Sequence, residues 1–331
     1  MAYNSMISRT DAAALIPEEV SAEILKAVPE QSAVMRLAKK LPNMSRAQKR
    51  LPVMSALATA YFNTADTGLA QTSEINWANR YIDAEELDVI VPVPKSVLED
   101  ADFDIWGECK PQLVEALGLA IDQAVLYGTN IPSSWSTNLG TTATAYAGLV
   151  ARCAAASHTI SLASYTDLYE ALLGETDAGT DGLMMLLEAD GFMATGMIAH
   201  TSVRGKLRNC RDANGQPIFK AGPSLGTSFA TGEVDGAPIL YPLNGSVVAG
   251  SSLIVAGAWN QLVYAMRKDI TYEISTQAVI QDSTGAIVYN LFQQNMVALK
   301  ATMRLGFALP NPINRMNATD ATRCPFAVLT A

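Results

Sequence analysis

Charged residues are scarce in this sequence. Lys, Arg, Asp and Glu fill 17% of its 331 positions, against about 25% in a typical soluble protein. The apolar fraction of 49% is too high for a disordered chain, and the length is enough to bury a large core. A chain with so few charges either presents a neutral surface or buries that surface against partners. Long apolar runs are missing too. The best stretch, Val247 to Trp259, is interrupted by Ser251 and Ser252 and falls short of the roughly 20 residues of a membrane span, so no membrane partner is expected. The opening residues, MAYNSMISRTDAAALIPEEV, show no basic segment leading into an apolar one, so no signal peptide is expected.

The rare residues limit the chemistry. His158 and His200 are the only histidines, which rules out a three-histidine metal site. His158, in SHTIS, reads as a solvated loop residue, and His200 as the end of a buried strand. Cys109, Cys153, Cys210 and Cys324 form no C-x-x-C, so neither a zinc knuckle nor a redox pair is signalled; they read as free thiols of a reducing compartment. Phosphate-cradling glycine loops, G-x-S-x-G, S-x-x-K and H-E-x-x-H are all absent. Acidic pairs such as Glu85 with Glu86, or Asp100 with Asp102, read as solvated faces. No metal, cofactor or catalytic residue is expected, although an unrelated α+β enzyme stays open as an alternative.

The few charges are segregated. Arg36, Lys39, Lys40, Arg46, Lys49 and Arg50 fall in a stretch, 31–50, without any acid. Asp83, Glu85, Glu86, Asp88, Glu99, Asp100, Asp102, Asp104 and Glu108 then share 81–108 with Lys95 alone. Two solvated faces would explain this. So would complementarity between neighbouring copies, which sets register and rate more than affinity. The net charge of −9 argues against broad nucleic-acid binding, leaving at most nonspecific contact through a local basic arm.

Along the chain, Pro17 followed by Glu18 and Glu19 opens a short helix to Val28, and residues 30–40 continue as a second amphipathic piece. Residues 51–94 read as two long extended arms around a Thr/Asp/Gly/Ser-rich tip. Pro92 and Pro94 place the second arm at a sheet edge or at its end. A two-stranded hairpin of that length is marginal alone in water, so Phe62, Trp77 and Tyr81 are candidate anchors on a neighbouring subunit or, alternatively, on the chain's own long helix. That helix is the strongest in the sequence: Leu113, Leu117, Ile121 and Val125 recur at four-residue spacing, Asp102 or Asp104 can cap it, Pro111 marks a kink or restart, and Gly128 stops it. Residues 129–163 are rich in small polar residues and read as a boundary. Helices then alternate with strands: a helix from Ser164-x-x-Asp167 to Leu173, another at Leu183–Leu187, a buried strand Thr195–His200, and a basic helix capped by Thr201. Strands are expected near 237–241, 252–258, 262–267 and 270–275. Finally, Val297, Leu299, Ala301, Met303, Leu305, Phe307 and Leu309 alternate strictly with smaller or polar residues, the mark of a long strand buried on one side.

This order of elements resembles the major capsid protein family of tailed bacteriophages, of the Hong Kong 97 type. LIPEEVSAEILKAVPEQSAVMRLAKKLP is similar to the family's N-terminal arm. VPVPKSVLEDADFDIW, leading to LGLAIDQAVLYG, resembles the base of its extended loop and its spine helix. GMIAHTSVRGKLRNCRDANGQPIF, VDGAPILYPL and NLFQQNMVALKATMRLGFALPNP resemble its later segments. The resemblance implies an α+β capsid fold with an N-terminal arm (1–50), an extended loop (51–87), a P-domain with spine helix and long strand (88–152 and 269–331) and an inserted A-domain (153–268). It also implies self-assembly into pentamers and hexamers of an icosahedral virion head, formed in the host cytoplasm around double-stranded DNA. Encapsulin-type nanocompartment shells share the fold and are the alternative. Implied partners are a portal, a separate scaffolding protein or none, since the arm begins at Leu15, and a decoration protein in some relatives. The founding member cross-links its subunits through a loop lysine, an asparagine and a glutamate. Here Asn295 falls on the asparagine position, Thr302 replaces the glutamate, and no lysine lies between Lys49 and Lys95. A non-covalent shell is expected, with Asn295 in a structural role.

Overall fold

The computed structural model describes residues 32–63, 69–100, 105–174, 181–211, 216 and 230–331. The helix expected at 17–28 and the caps Asp102 and Asp104 lie outside them. At the centre is the long helix α3 (Ile105–Tyr127), with Pro111 inside it. Leu113, Leu117, Ile121 and Val125 are all buried, as their four-residue spacing requires of one helical face. Gly128 ends the helix with φ +72°, its N–H bonded to the Ala124 carbonyl. A side chain there would meet the Ala147 carbonyl carbon at 2.6 Å.

A four-stranded sheet lies on this helix, in the order β1 (Lys39–Lys40), β10 (Val263–Ser275), β13 (Met296–Ala308), β4 (Glu85–Pro94). Strand β13 (Met296–Ala308) is the alternating segment read from the sequence. Val297, Leu299, Ala301, Met303, Leu305 and Phe307 are buried, and from Leu299 onward they share one apolar core with the face of α3. Strand β4 (Glu85–Pro94) pairs antiparallel with β13, Thr302 opposite Asp88, and occupies the sheet edge. An edge tolerates Pro92 and Pro94, which have no N–H to give a ladder. The two strands expected at 262–267 and 270–275 are one, β10 (Val263–Ser275), with register shifts around Lys268. Those irregularities absorb the break in pattern that suggested two strands. Trp135 meets Phe307 edge-on with ring centres 5.2 Å apart, and Tyr264 stacks on Phe307 at 5.6 Å, tying β10 and β13 to the next helix, α4 (Ser133–Leu139).

The second sheet has six strands. In order they are β5 (Thr159–Ser161), β14 (Phe326–Thr330), β9 (Ile254–Gly257), β6 (Gly196–Ala199), β8 (Ala237–Tyr241) and β7 (Ala230–Val234). Successive residues face opposite sides, and both sides are covered. Ile198, Leu240, Val255, Phe326 and Val328 join the core of α3. Met197, Ala199, Ile239, Ile254, Ala256, Ala327 and Leu329 join a second core with α6 (Leu168–Leu173), α7 (Leu183–Ala189) and α8 (Thr201–Asn209). Strands buried on both faces read as continuous apolar runs without alternation, which is why FAVLT, the C-terminal strand, carried no period in the sequence. It pairs antiparallel with β9 and parallel with β5.

Several expectations are corrected. Residues 129–163, read as a boundary, hold ordered helices: α4 and α5 (Gly148–Ala155) bury Trp135, Leu139, Leu149 and Cys153 in the main core. Their small residues permit close packing. His158 is buried, with Nδ1 3.2 Å from the Phe326 carbonyl and Nε2 3.3 Å from Asp190, because it leads into β5 beside β14. The cap of α8 is His200, whose Nδ1 accepts from the Ser202 N–H, rather than Thr201. Of the expected second amphipathic piece, the described residues 32–40 are helical over α1 (Ala33–Leu37), and Lys39–Lys40 form β1, parallel to β10. The hairpin is also shorter than expected: β2 (Gln48–Ala56) pairs with β3 (Asn76–Asp83), while the rest of the second arm leaves it as β4.

One carboxylate seats the first helix on the long one. Asp122, fully buried on α3, accepts from the Ser32 hydroxyl and from the backbone N–H groups of Ala33 (2.9 Å) and Val34 (3.1 Å). These are donors that the start of α1 would otherwise leave without partners. Burial pushes the Asp122 carboxyl up to about 6, so the folded state binds that proton more tightly than the unfolded chain. The resulting stabilisation is complete below the ordinary aspartate value and is lost as pH rises through about 6. Urea unfolding of wild type and Asp122→Asn tests this. Wild type should lose on the order of 2–3 kcal/mol relative to the variant between about pH 4 and 7; a pH-independent difference would contradict it.

Candidate assembly surface

The hairpin β2/β3 carries its aromatic residues outward. Phe62 is 99% exposed, Trp77 69% and Tyr81 39%, with Trp77 opposite Met54 and Tyr81 opposite Arg50. The own-chain alternative, in which these rings cover the long helix, is therefore corrected: the helix face is filled by β13, α1, α4 and α5. The hairpin's own support is the loop after β13. Arg315 donates to the Ala58 carbonyl at 2.7 Å, Ile313 N–H to the Met54 carbonyl at 3.3 Å, and Arg80 to Asp320 at 2.9 Å.

Sequence reasoning missed Asp320, the centre of that support. Its carboxylate also accepts from the Thr142 N–H and hydroxyl, both at 2.8 Å, and from Asn311 at 3.0 Å. Arg152 and Arg323 lie at 3.8 and 3.7 Å. Burial alone would raise this carboxyl; the Thr142 donors and the charges of Arg80 and Arg152 outweigh burial and hold it below its usual value. No spacing in the sequence links Arg80 to Asp320, because the contact spans 240 positions.

The basic set is presented to solvent. Arg36, Lys39, Lys40, Arg46 and Arg50 are exposed, and Lys49 donates to the Pro42 carbonyl at 3.1 Å. The acidic set is divided. Glu85 accepts from Ser134, Glu86 lies 3.7 Å from Arg304, and Asp88 lies 2.9 Å from Lys300. These three already have partners in their own chain, set by the register of β4 on β13. Partial burial would raise the Asp88 carboxyl, but hydrogen bonds from Thr302 and Lys300 hold it lower. Glu99 and Asp100 are exposed at the end of α2 (Lys95–Asp100); Asp102 and Asp104 lie outside the described residues.

Asn295 sits in a left-handed turn before β13, with φ +53°, and its carbonyl accepts from the Lys95 N–H at 3.0 Å. Thr302 lies mid-strand and is spent on Asp88. A second exposed apolar surface went unread in the sequence: Ile274 on β10, Ile287 on the ribbon of β11 (Val279–Gln281) and β12 (Ile287–Asn290), and Phe292 are 58%, 64% and 75% exposed. AIVYNLF carried the signal, a short β-rich run beside a turn.

The His158–Asp190 pair is buried, and Asp190 is consumed by Asn317 (2.7 Å) and the Cys324 N–H (2.7 Å), which makes it a tie for β14. Among the described residues, no group of three or more His, Cys, Asp or Glu side chains could hold a metal, and no helix is long and apolar enough to cross a membrane. If Asp320 pins the hairpin, Arg80→Ala should make the 57–75 segment several-fold more sensitive to limited proteolysis while the two cores resist. Acidification through the depressed Asp320 value should do the same to wild type. Equal cleavage rates in variant and wild type would refute the pin.

Comparison with known proteins agrees with this geometry. The model of the phage capsid family matches residues 12–314. The chain is 27% identical over 292 residues to the major capsid protein of Staphylococcus phage 80alpha, covering 87% of this chain and 79% of that protein. It is 21% identical over 280 residues to the probable major capsid protein gp17 of Mycobacterium phage D29, covering 83% and 80%. A solved structure from Microbacterium phage Oxtober96 superposes with a TM-score of 0.77 at 29% identity, covering 98% of this chain and 99% of that one. The capsid of a native GTA particle shares the fold, with a TM-score of 0.61 at 17% identity over the whole of both chains. The fold is thus the Hong Kong 97 type, the encapsulin-type and enzyme alternatives are not favoured, and the chain belongs to the phage capsid family as a structural, non-enzymatic major capsid protein of a bacteriophage virion.

Proposed function

We propose that this protein closes an icosahedral head from pentamers and hexamers around double-stranded DNA, and that the hairpin β2/β3 lies on a neighbouring subunit with Phe62, Trp77 and Tyr81 as its anchors. The exposure of Trp77 and Phe62 on a two-stranded ribbon held to its own chain by the loop after β13 carries this reading. A two-stranded ribbon is marginal alone in water, and buried aromatic anchors dominate interface energetics. The four-part division into arm, extended loop, P-domain and A-domain belongs to the same proposal. Assembly in the host cytoplasm, a portal, a separate scaffolding protein and a decoration protein are further elements of it, and the packaged DNA makes nonspecific contact only.

The basic residues Arg36, Lys39, Lys40, Arg46, Lys49 and Arg50 face acidic residues of adjacent copies. Because Glu85, Glu86 and Asp88 are engaged within the chain, Glu99 and Asp100, with Asp102 and Asp104, are the partners left to meet them. Exposed pairs are each worth about 0–1 kcal/mol, so their effect is on assembly rate and salt sensitivity. Raising ionic strength should slow assembly of purified protomers severalfold; indifference to salt would contradict the pairing.

Trp77→Ala tests the hairpin contact. Sedimentation should show the assembled fraction falling by on the order of tenfold at matched concentration, as expected when an interface anchor is lost. The urea midpoint of the unassembled protein should stay unchanged, since the ring is exposed there. Undiminished assembly would sink the proposal. The shell is also held without isopeptide bonds: Asn295 and Thr302 are tied into the β13 frame, and beyond Lys49, at the root of β2, the hairpin carries no lysine. Boiled, reduced particles should run as a single band near 35.2 kDa; a ladder of multimers would overturn this.

A further inference from the structure

We propose that Cys153 and Cys324 form a peroxide-triggered covalent staple within each protomer, open when the chain folds and closed on oxidation. Both side chains are fully buried, and their Sγ atoms lie 3.8 Å apart. A disulfide bond is about 2.05 Å long, so the gap to close is small and falls within the reach of torsional adjustment at the two residues. The other thiols are placed differently: Cys109 is half-buried on α3, and Cys210 donates to the Lys206 carbonyl at the end of α8.

The surroundings give the two sulfurs different roles. Arg152, beside Cys153 on α5, is 2% exposed. Its Nη1 donates to the Leu139 carbonyl at 3.0 Å, its Nη2 points at the Arg323 carbonyl at 3.4 Å, and its Nε has no partner. A buried guanidinium near a sulfur favours a thiolate there; here its charge is shared with Asp320, 3.8 Å from Nη2. Burial opposes ionisation of Cys324, but the hydrogen bond from Cys153 and the Arg152 charge outweigh it, while burial pushes Cys153 up. The Arg323 guanidinium and the carboxylates of Asp320 and Asp190 complete the charged groups nearby; Asp190 is fixed by the Cys324 N–H itself.

The chemistry balances with hydrogen peroxide as oxidant. The Cys324 thiolate attacks one peroxide oxygen, the O–O bond breaks, and the departing hydroxide takes a proton to leave as water, giving a sulfenic acid. The Cys153 sulfur attacks that sulfenic sulfur, the S–S bond forms, and the S–OH oxygen leaves as a second water, taking up the Cys153 proton. Two thiols and one peroxide become one disulfide and two waters. The bond would join α5, packed on the long helix, to the start of β14 in the six-stranded sheet, across 171 positions of sequence. Closing a loop that long removes much of the unfolded chain's freedom.

Purified full-length protein exposed to graded hydrogen peroxide, then denatured and alkylated, gives the test by peptide mass mapping. The expected product is a linked pair of peptides holding Cys153 and Cys324, two hydrogens lighter than their sum and separated by reductant, with Cys109 and Cys210 alkylated without reduction. The thermal midpoint should rise by on the order of 5 °C, and not at all in Cys153→Ala or Cys324→Ala. If either variant fails to fold, the wild-type peptide map decides alone. Alkylation of both residues at every dose, or accumulation of Cys324 sulfinic acid with Cys153 still free, would overturn the proposal.

Discussion

Strand β13 is the constraint on which the other elements depend. Its alternating residues fill one side of the main core, and its two hydrogen-bonding edges are taken by β10 and β4. A one-residue slip would turn Leu299, Ala301, Met303, Leu305 and Phe307 to solvent, so its register is strongly specified. That register places Asp88 opposite Thr302 and Glu86 opposite Arg304, which fixes the point where the chain passes from the hairpin into β4. Close packing at the same junction confirms how little slack there is. A side chain on Gly306 would sit 2.3 Å from the Asp83 carbonyl oxygen, so only glycine lets β3 cross the strand.

From that frame the molecule divides its apolar surface in two. The inner part is satisfied by the chain itself: both faces of the six-stranded sheet are covered, and the apolar face of the long helix is filled. The outer part, on the hairpin and on the distal ribbon of β11 and β12, is not. Isolated exposed apolar residues are ordinary, but here they concentrate on two-stranded ribbons that have no second layer of their own. The low charge of the sequence fits this division, because a protein surrounded by copies of itself presents little of its surface to water.

The long-period features were legible in the sequence. The face of α3 and the alternation of β13 each repeat one spacing over many residues, and both are where the periodicity puts them. The prolines of β4 also marked its edge position. What escaped reading lacks a period or depends on distant partners. Strand β14 is buried on both faces and shows no alternation; α4 and α5 lie in a stretch of small polar residues that read as a boundary. Asp320, Asp190 and Asp122 are ordinary aspartates in the sequence, and become fixed points only when folding brings Arg80, His158 and Ser32 to them. His158 was misread for the same reason, since a polar neighbourhood in sequence became a buried one beside β14. Among the candidate contact residues, position on the hairpin was legible, whereas the capture of Glu86 and Asp88 by Arg304 and Lys300 required the register of two strands.

The central claim is that the hairpin finds its missing layer on another subunit. Amide hydrogen exchange compared between unassembled protomers and assembled shells addresses it most directly. The account predicts that amides of 48–56 and 76–83 gain strong protection on assembly, while those of residues 117–127 of α3 and of β13, already buried in the protomer, change little. Equal exchange of the hairpin in both states would show that it stays in solvent within the shell, and would contradict the account.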